Sequence, residues 1–271
     1  MRLSRQQFLA TLGAVAAGPL DALAQQTPGK PAPPAVTKKP PQPSVAKKAA
    51  EQAAIGATGT LSFAQSGEDL IAQFIFHYLQ VPKITYLDVG AHDPVAMNNT
   101  YFFYRSGFRG VLVEPNVEMC KKLRAVRPQD TTLEAGIGVT AAREADYYLM
   151  TESAWNTFSK QEAEHMTRVT GGGIKVERVI KMPLLEINDV MAKHFGGAPT
   201  FLSIDAEGLH LAILKTIDFK RFRPVVICVE TLIAGTKRYI PEIPAFLETQ
   251  KYVVRGSTFV NTLFVDGNLI G

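Results

Sequence analysis

The sequence predicts an α/β fold with a mostly parallel sheet and helices on both faces. Short apolar segments alternate with amphipathic helical segments through most of the chain, which is typical of parallel sheets. Two of the apolar segments, 84–89 and 110–114, are rich in β-branched residues, as expected for strands buried on both faces. Two strand-like segments follow each other at 252–254 and 259–265, which indicates an antiparallel edge. In such a fold the parallel strands end at one common edge.

The first 60 residues differ in composition from the rest. Residues 1–24 combine Arg2 and Arg5 with a short apolar run and the small-x-small pattern Ala22-Leu23-Ala24, which favours an export signal. The signal resembles the twin-arginine type, with glutamine in place of the second arginine. The alternative is a disordered or helical extension. Residues 25–60 are rich in proline, alanine and lysine and predict a disordered linker. The folded domain is therefore expected over 61–271, without a transmembrane segment, because the apolar run is shorter than the roughly 20 residues that span a bilayer.

The basic charge of the chain belongs to its N-terminal part. Residues 1–60 carry a net charge of +5, and the whole chain carries +4, so the remaining domain carries −1. This balance argues against a nucleic-acid-binding face on the domain. The two cysteines, Cys120 and Cys228, fall in a helical and a strand pattern, which predicts buried thiols.

In the first half of the domain, a helix over 70–79 has apolar residues at helical spacing. The first strand, 84–89, leads through Gly90 to a short aromatic helix at 101–105 behind the capping pair Asn99-Thr100. Strand 110–114 is stopped by Pro115, and helix 116–126 and strand 131–138 follow.

In the second half, strands and helices continue to alternate. An extra strand (145–150), a short helix (160–166) and a strand (176–184) surround a Gly171–Gly173 turn, which indicates an insertion at about 150–183. The remaining segments are predicted helices at 186–194, 209–216 and 242–249 and strands at 200–205 and 225–230.

Four predicted parallel strands end in an acid. These acids are Asp88, Glu114, Asp205 and Glu230. Because the carboxyl ends of parallel strands meet at one edge, one cleft would collect all four carboxyl groups. Like charges in one cleft are costly unless a cation, a proton or hydroxyl donors relieve them. The cleft therefore favours a positively charged or polyhydroxylated ligand.

The loop after the first strand narrows the choice of ligand. The 24-residue separation of Gly90 from Glu114 is close to the roughly 20 residues between a glycine turn and an acid that binds ribose hydroxyls. The full G-x-G-x-x-G pattern is missing, so a pyrophosphate would lack its cradle, which argues against a dinucleotide-dependent oxidoreductase. S-adenosylmethionine is a sulfonium cation with a ribose diol and no phosphate, so it has both the positive charge and the hydroxyl donors that the cleft favours.

Several motifs in order between residues 62 and 266 resemble the FkbM family of S-adenosylmethionine-dependent methyltransferases. They are Gln65-Ser66-Gly67-Glu68-Asp69, Tyr86-Leu87-Asp88-Val89-Gly90-Ala91-His92, Asn99-Thr100-Tyr101-Phe102-Phe103, Val113-Glu114-Pro115-Asn116, Phe201-Leu202-Ser203-Ile204-Asp205-Ala206-Glu207-Gly208 and Val226-Ile227-Cys228-Val229-Glu230. The resemblance implies the class I methyltransferase fold, a Rossmann-like seven-stranded sheet whose last strand is antiparallel.

The resemblance also implies roles for single residues. Gly90, Ala91 and His92 would line the methionine side of the cofactor, and Glu114 would bind its ribose. Gln65 and Glu68 would close over the same pocket, and Asp88 would form one wall of it. One departure stands out: the family commonly continues Asp-x-Glu-Gly with x-Glu, whereas this chain has Leu209-His210.

Methyl transfer to a hydroxyl needs a group that takes the hydroxyl proton. Asp205 and Glu207 lie at the predicted edge and are the candidate catalytic residues, although Glu207 could simply cap the next helix. Asp205 and Glu230 could instead hold a divalent cation, but no metal-ligand motif is present and no metal site is predicted. His92 and His210 fit either a functional or a surface role.

The predicted acceptor is a small molecule or glycan, recognised by the insertion. Trp155 lies among hydroxyl and amide side chains suited to stacking on a sugar, or it pins the insertion to the core. The Gly171–Gly173 turn is a lid hinge or a plain surface loop. The leading hypothesis is O-methylation of a saccharide, glycan or polyketide-like metabolite. The alternative is an exported, non-catalytic binding module, because an export signal conflicts with a cofactor expected in the cytoplasm.

Overall fold

Helices and strands alternate along the chain, as the sequence predicts. The computed structural model describes residues 59–233 and 236–270. The signal-like segment 1–24 and nearly all of the 25–60 linker lie outside the described residues. The helices are α1 (Glu68–Tyr78), α2 (Tyr101–Arg105), α3 (Val117–Val126), α4 (Lys160–Val169), α5 (Ile187–Phe195), α6 (His210–Thr216) and α7 (Glu242–Thr249). The strands are β1 (Thr85–Val89), β2 (Arg109–Val113), β3 (Thr131–Leu133), β4 (Gly136–Ile137), β5 (Glu144–Met150), β6 (Val176–Leu185), β7 (Phe201–Ile204), β8 (Val226–Glu230), β9 (Tyr252–Ser257) and β10 (Asn261–Asp266).

Seven strands form the main sheet in the order β3-β2-β1-β7-β8-β10-β9. The pairs β1 with β2, β1 with β7, β2 with β3 and β7 with β8 are parallel. The last strand, β10, is antiparallel to both of its neighbours, β8 and β9. The predicted mostly parallel seven-stranded sheet with an antiparallel last strand is therefore confirmed, and β10 lies between β8 and β9 rather than at the edge.

Both faces of the main sheet are covered by helices because side chains alternate along each strand. In β1, Leu87 and Val89 belong to one buried cluster, to which α5, α6 and α7 contribute. Tyr86 belongs to a second buried cluster on the opposite face, to which α1, α2 and α3 contribute. Each large apolar side chain buried in this way stabilises the fold by about 1.5–3 kcal/mol.

The segment after β2 shows how local sequence fixes an element boundary. Pro115 cannot donate a backbone hydrogen bond to a sheet, so β2 ends before it. The next residue, Asn116, caps α3, because its side-chain oxygen accepts hydrogen bonds from the backbone N–H groups of Glu118 and Met119 at 3.0 and 3.4 Å. Glu114 is thereby held in a short connection between a buried strand and a capped helix.

A second, smaller sheet has the order β4-β6-β5. The pair β5 with β6 is antiparallel, and β4 lies parallel to β6. The predicted strand over 131–138 is therefore two strands, one in each sheet, with a break at Glu134 and Ala135. A small apolar core of Met150, Ala163, Met166 and Ile174 joins this sheet to α4.

The unit Leu61–Gly271 folds around these clusters. Cys120 and Cys228 are buried free thiols, as predicted, and burial raises the pKa of Cys120 to about 12. None of the helices in the described part of the chain is long and apolar enough to cross a membrane.

Candidate active site at the carboxyl edge of the main sheet

The order of strands places a topological switch point at the carboxyl end of β1. The chain continues from β1 to β2 on one side, whereas β7 lies on the other side. In open α/β sheets the loops diverge at such a point and leave a crevice for small molecules. The loop that follows β1 begins with Gly90.

Gly90 is required by a close approach of two backbone segments. Its φ is +81°, and a Cβ at this position would lie 1.8 Å from the carbonyl oxygen of Asp205. The backbone N–H of Asp205 donates to the carbonyl of Val89 at 2.9 Å, which brings the end of β7 against the β1 loop. The absence of a side chain at Gly90 therefore allows the β1 loop to approach the end of β7, a contact that sequence spacing does not reveal.

Glu114 holds the β1 loop in place through both carboxylate oxygens. The backbone N–H of His92 donates to Oε2 at 2.8 Å, and the N–H of Asn116 donates to Oε1 at 2.7 Å. The side chain is 3% exposed. Burial raises the pKa of Glu114 to about 7, despite the two N–H donors, and the charges of Asp88 and Asp205 act in the same direction.

His92 connects the β1 loop with the insertion. Its φ is +47°, a left-handed conformation that is uncommon outside glycine. Its Nε2 lies 3.2 Å from the hydroxyl of Ser153 in the short 3-10 helix Ser153–Trp155. Ala91, the preceding residue, is buried, and its carbonyl accepts a hydrogen bond from the Asn98 side chain at 2.9 Å. The loop Gly90–His92 is thus held from three directions.

Asp88 is buried in a hydrogen-bonded network beside the crevice. Its Oδ2 accepts a hydrogen bond from Thr100 Oγ1 at 2.7 Å. Burial raises its pKa, and the Thr100 hydrogen bond and the charge of Arg127 oppose that shift. Asp88 therefore fixes the start of α2 against β1.

Arg127 is the centre of that network and is a residue that the sequence pattern does not reveal. It is fully buried, and its guanidinium donates to Asn98 Oδ1, Thr100 Oγ1 and Asp130 Oδ2 at 2.9, 3.0 and 2.8 Å. The hydroxyl of Tyr86 donates to the same carboxylate of Asp130 at 2.7 Å. An arginine just after a helix ordinarily lies in solvent, so only the surrounding acceptors, distant in sequence, identify it.

The segment before α1 lies near the other side of this edge. Glu68 is fully buried, and its carboxylate accepts hydrogen bonds from Ser66 N, Thr258 Oγ1 and Asn261 Nδ2 at 2.7, 2.7 and 2.9 Å. Glu68 therefore ties α1 to the start of β10, and Asn261 is paired in register with Glu230 at the end of β8. Gln65 is half-buried in the same segment.

Asp205, His210 and Glu230 form the most compact group of ionisable side chains at this edge. His210 Nε2 lies 3.3 Å from Glu230 Oε2 and 3.8 Å from Asp205 Oδ1. Burial opposes a charged imidazole, but the two carboxyl groups outweigh it and raise the pKa of His210 to about 10. The His210 and Glu230 side chains are 3% and 10% exposed, whereas that of Asp205 is 31% exposed. Asp205 is therefore the member of this group that a dissolved acceptor can reach.

Glu207 occupies the turn between β7 and α6 in a strained conformation. Its φ is +33° and it is buried. Its carbonyl accepts a hydrogen bond from Thr157 Oγ1 at 2.8 Å, so the insertion is anchored to this turn. Strained non-glycine residues cluster at functional sites, and His92 and Glu207 both lie at the crevice.

An aromatic pair lies where β5 leads into the insertion, close to the charged groups of the crevice. Tyr147 of β5 is buried, and its pKa is raised by burial and by the charges of Glu114 and Glu207. Its ring packs 4.6 Å from that of Phe158. Trp155 packs against the small apolar core of Met150, Ala163, Met166 and Ile174, and Gly171 and Gly172 form an open turn after α4. Sugar stacking by Trp155 and a lid hinge at the glycines stay predictions.

The structure therefore brings together most of the predicted site residues. Gly90, Ala91, His92, Glu114, Asp205 and Glu207 lie at the carboxyl ends of β1, β2 and β7. Asp88 and Glu68 lie in buried hydrogen-bonded networks beside them. Their proposed contacts with a cofactor stay predictions.

The chain matches the family model described as the methyltransferase FkbM domain over residues 88–254, which is more than half of its length. No curated protein matches the chain.

Solved structures with similar folds include three from bacteria. A TehB-like methyltransferase from Corynebacterium glutamicum is 9% identical, with a TM-score of 0.40, over 81% of this chain and 96% of that chain. An O-methyltransferase from Bacillus cereus in complex with S-adenosylhomocysteine is 11% identical, with a TM-score of 0.38, over 83% and 92%. A Klebsiella pneumoniae chain described as an O-methyltransferase is 11% identical, with a TM-score of 0.37, over 84% and 91%.

The family match includes the ends of β1, β2, β7 and β8, where the crevice lies. The chain belongs to the FkbM family of S-adenosylmethionine-dependent methyltransferases.

Proposed function

We propose that this protein transfers a methyl group from S-adenosylmethionine to a hydroxyl group of a saccharide, glycan or polyketide-like metabolite. The observation that carries the proposal is the meeting of the Gly90 turn, Glu114 and Asp205 at the switch point of the sheet. This arrangement offers carboxyl groups to a ligand that has both hydroxyl donors and a positive charge. Family membership supports the transferase chemistry.

The residues of the crevice fit this cofactor. Glu114 is nearly buried, and its raised pKa reflects a carboxylate that two backbone N–H groups do not fully stabilise. Ribose hydroxyl groups would add two donors, and the sulfonium charge would favour the ionised form. We propose that Glu114 binds the ribose, that Gly90, Ala91 and His92 line the methionine side, and that Gln65 and Glu68 shape the pocket from the α1 side.

The acceptor must be positioned and must lose a proton. The cofactor would supply an electrophilic methyl group. The acceptor oxygen would bond to the methyl carbon as the carbon–sulfur bond breaks, and the electron pair of the broken bond would stay on sulfur. The hydroxyl proton would go to a base. Asp205 and Glu207 are the proposed bases, since both follow β7 at the crevice. The neighbouring insertion, together with Tyr147 of β5, would exclude water and orient the acceptor.

The alternative is an exported binding module that has kept the fold without transferring methyl groups. His210 favours it, because an imidazole inserted between Asp205 and Glu230 at 3.8 and 3.3 Å compensates their charge without a substrate. Release of S-adenosylhomocysteine during incubation with a panel of saccharide and polyketide acceptors distinguishes the two. Cofactor binding without turnover on any acceptor in the panel supports the binding module.

The first test is calorimetric titration of the full chain with S-adenosylhomocysteine. We expect one site, and we expect Glu114→Gln to weaken binding roughly 10- to 100-fold, the loss typical of a hydrogen bond to a charged group. The control is Glu118→Gln, whose side chain is 69% exposed on α3 and pairs with Lys121 at 2.7 Å. Lack of binding by the unmodified chain, or equal binding by both variants, would contradict the proposal.

A further inference from the structure

The group Asp205, His210 and Glu230 has the donor set of a cation site as well as the geometry of an ion pair, and the imidazole would release its proton when a metal ion binds. Each residue offers one ligand atom, and these three atoms lie within 4.8 Å of one another. His210 Nε2 is 3.3 and 3.8 Å from the two carboxylate oxygens. Ligand atoms around a tetrahedral Zn²⁺ are about 3.4 Å apart, given metal–ligand distances of about 2.0–2.1 Å. Small side-chain rotations would therefore suffice to close the group around an ion.

The second observation concerns the imidazole. His210 is 3% exposed at the first turn of α6, and neither of its ring nitrogens has a hydrogen bond of good geometry within the described part of the chain. A buried polar group without such a bond destabilises the folded protein. A ligand that uses Nε2 would remove this cost. The nitrogen is directed at the two carboxylates, where a cation would lie.

We propose that Asp205, His210 and Glu230 bind a divalent transition-metal ion at the crevice. An imidazole nitrogen with two carboxylate oxygens suits Zn²⁺, Co²⁺, Fe²⁺ or Mn²⁺ better than Mg²⁺, which prefers an all-oxygen set. The group offers three protein ligands within the described residues, and the Asp205 side chain is 31% exposed, so coordination positions stay open on the acceptor side. This inference rests on the proposed function and adds a cofactor to it.

A bound metal would give Asp205 and Glu207 different roles, with Asp205 as a ligand and Glu207 as the base. A divalent cation lowers the pKa of a hydroxyl group beside it. With Asp205 engaged as a ligand, Glu207 takes the acceptor proton as the oxygen–methyl bond forms and the carbon–sulfur bond breaks. Glu207 is two residues from Asp205 in the same turn, which keeps a base within the site.

The test uses the full chain, stripped with a chelator and titrated separately with Zn²⁺, Co²⁺, Mn²⁺ and Mg²⁺. We expect one equivalent of metal by elemental analysis, a visible absorption band with Co²⁺, and weak or absent Mg²⁺ binding. Asp205→Asn and His210→Gln should each weaken Co²⁺ binding at least about 10-fold. The matched controls are Asp189→Asn and His194→Gln on α5, which should leave Co²⁺ affinity unchanged.

A variant that replaces the imidazole by another metal ligand strengthens the test against simple misfolding. His210→Glu should keep a metal site but shift its preference toward Mg²⁺ and Mn²⁺, because the donor set becomes all oxygen. Absence of stoichiometric metal, or equal Co²⁺ affinity in the Asp205→Asn variant and the unmodified chain, would overturn the site.

Titration of the same samples with S-adenosylhomocysteine separates the two proposals. Nucleoside binding by a chain that binds no metal overturns the metal site alone. Metal binding by a chain that binds no nucleoside supports the metal site and contradicts the methyltransferase proposal.

Discussion

At the scale of single residues, Glu114 is the group whose protonation matters most for the proposed cofactor site. It holds the β1 loop through two backbone N–H groups and is almost fully buried. Because burial raises its pKa to about 7, the free protein holds a mixture of the acid and the carboxylate near neutral pH. Ribose hydroxyl groups that donate to Glu114 favour the carboxylate, so binding of either S-adenosylmethionine or S-adenosylhomocysteine releases the proton.

This proton release predicts a pH dependence of S-adenosylhomocysteine binding. Affinity should be highest above pH 7 and should fall as the pH decreases through 7, by about tenfold between pH 8 and pH 6 if one proton is released. Calorimetry in buffers of different ionisation enthalpy measures both the affinity and the proton count. Glu114→Gln should bind more weakly with little pH dependence. The same slope in both proteins, or tighter binding at low pH, would contradict the assignment.

At the scale of elements, the crevice depends on the network that joins β1, α2 and the end of α3. Arg127 lies in this network without exposure to solvent and donates to three acceptors from two parts of the chain, the loop before α2 and the turn after α3. It also lies over the rings of Tyr86 and Tyr104, with 5.4 and 5.3 Å between the guanidinium carbon and the ring centroids. Loss of one partner from a buried charged network leaves the other charge uncompensated.

Arg127→Met should therefore lower the free energy of unfolding by about 3–5 kcal/mol. The matched control is Arg124→Met in the last turn of α3, whose side chain is 48% exposed and pairs with Glu134 at 3.1 Å, so its change should be at most about 1 kcal/mol. Urea denaturation followed by circular dichroism measures both. Similar losses for the two variants would show that the network does not hold the elements together.

The insertion is hydrogen-bonded to the rest of the domain at the crevice. Ser153 contacts His92, and Thr157 contacts the Glu207 carbonyl, so the insertion is fastened to both sides of the crevice. An acceptor would meet the insertion and the cofactor loop at the same time. This arrangement supports acceptor recognition by the insertion, as the sequence predicts.

At the scale of the whole molecule, the alternation of strands and helices was sufficient to predict the α/β sheet and its edge. The acids at the ends of β1, β2, β7 and β8 were identifiable because strand ends are marked by local signals such as Gly90 and Pro115. The division of residues 131–138 between two sheets was not predictable, since the residue pattern of a strand does not specify which strand it pairs with. The same limit hid the partners of Glu68, which lie 190 and 193 residues away at Thr258 and Asn261.

The histidine at position 210 shows a related limit. The sequence marked it as a departure from the family pattern, but only the fold brings its ring between Asp205 and Glu230. Ionisable groups from β7, α6 and β8 meet there because the parallel strands end at one edge.

The most direct test of the account is a crystal structure of the full chain with S-adenosylhomocysteine. We predict nucleoside density at the carboxyl ends of β1 and β2, with the ribose hydroxyl groups within hydrogen-bonding distance of the Glu114 carboxylate and the homocysteine portion beside Gly90–His92. Density at another surface, or a nucleoside in the crevice that makes no contact with Glu114, would contradict the central claim.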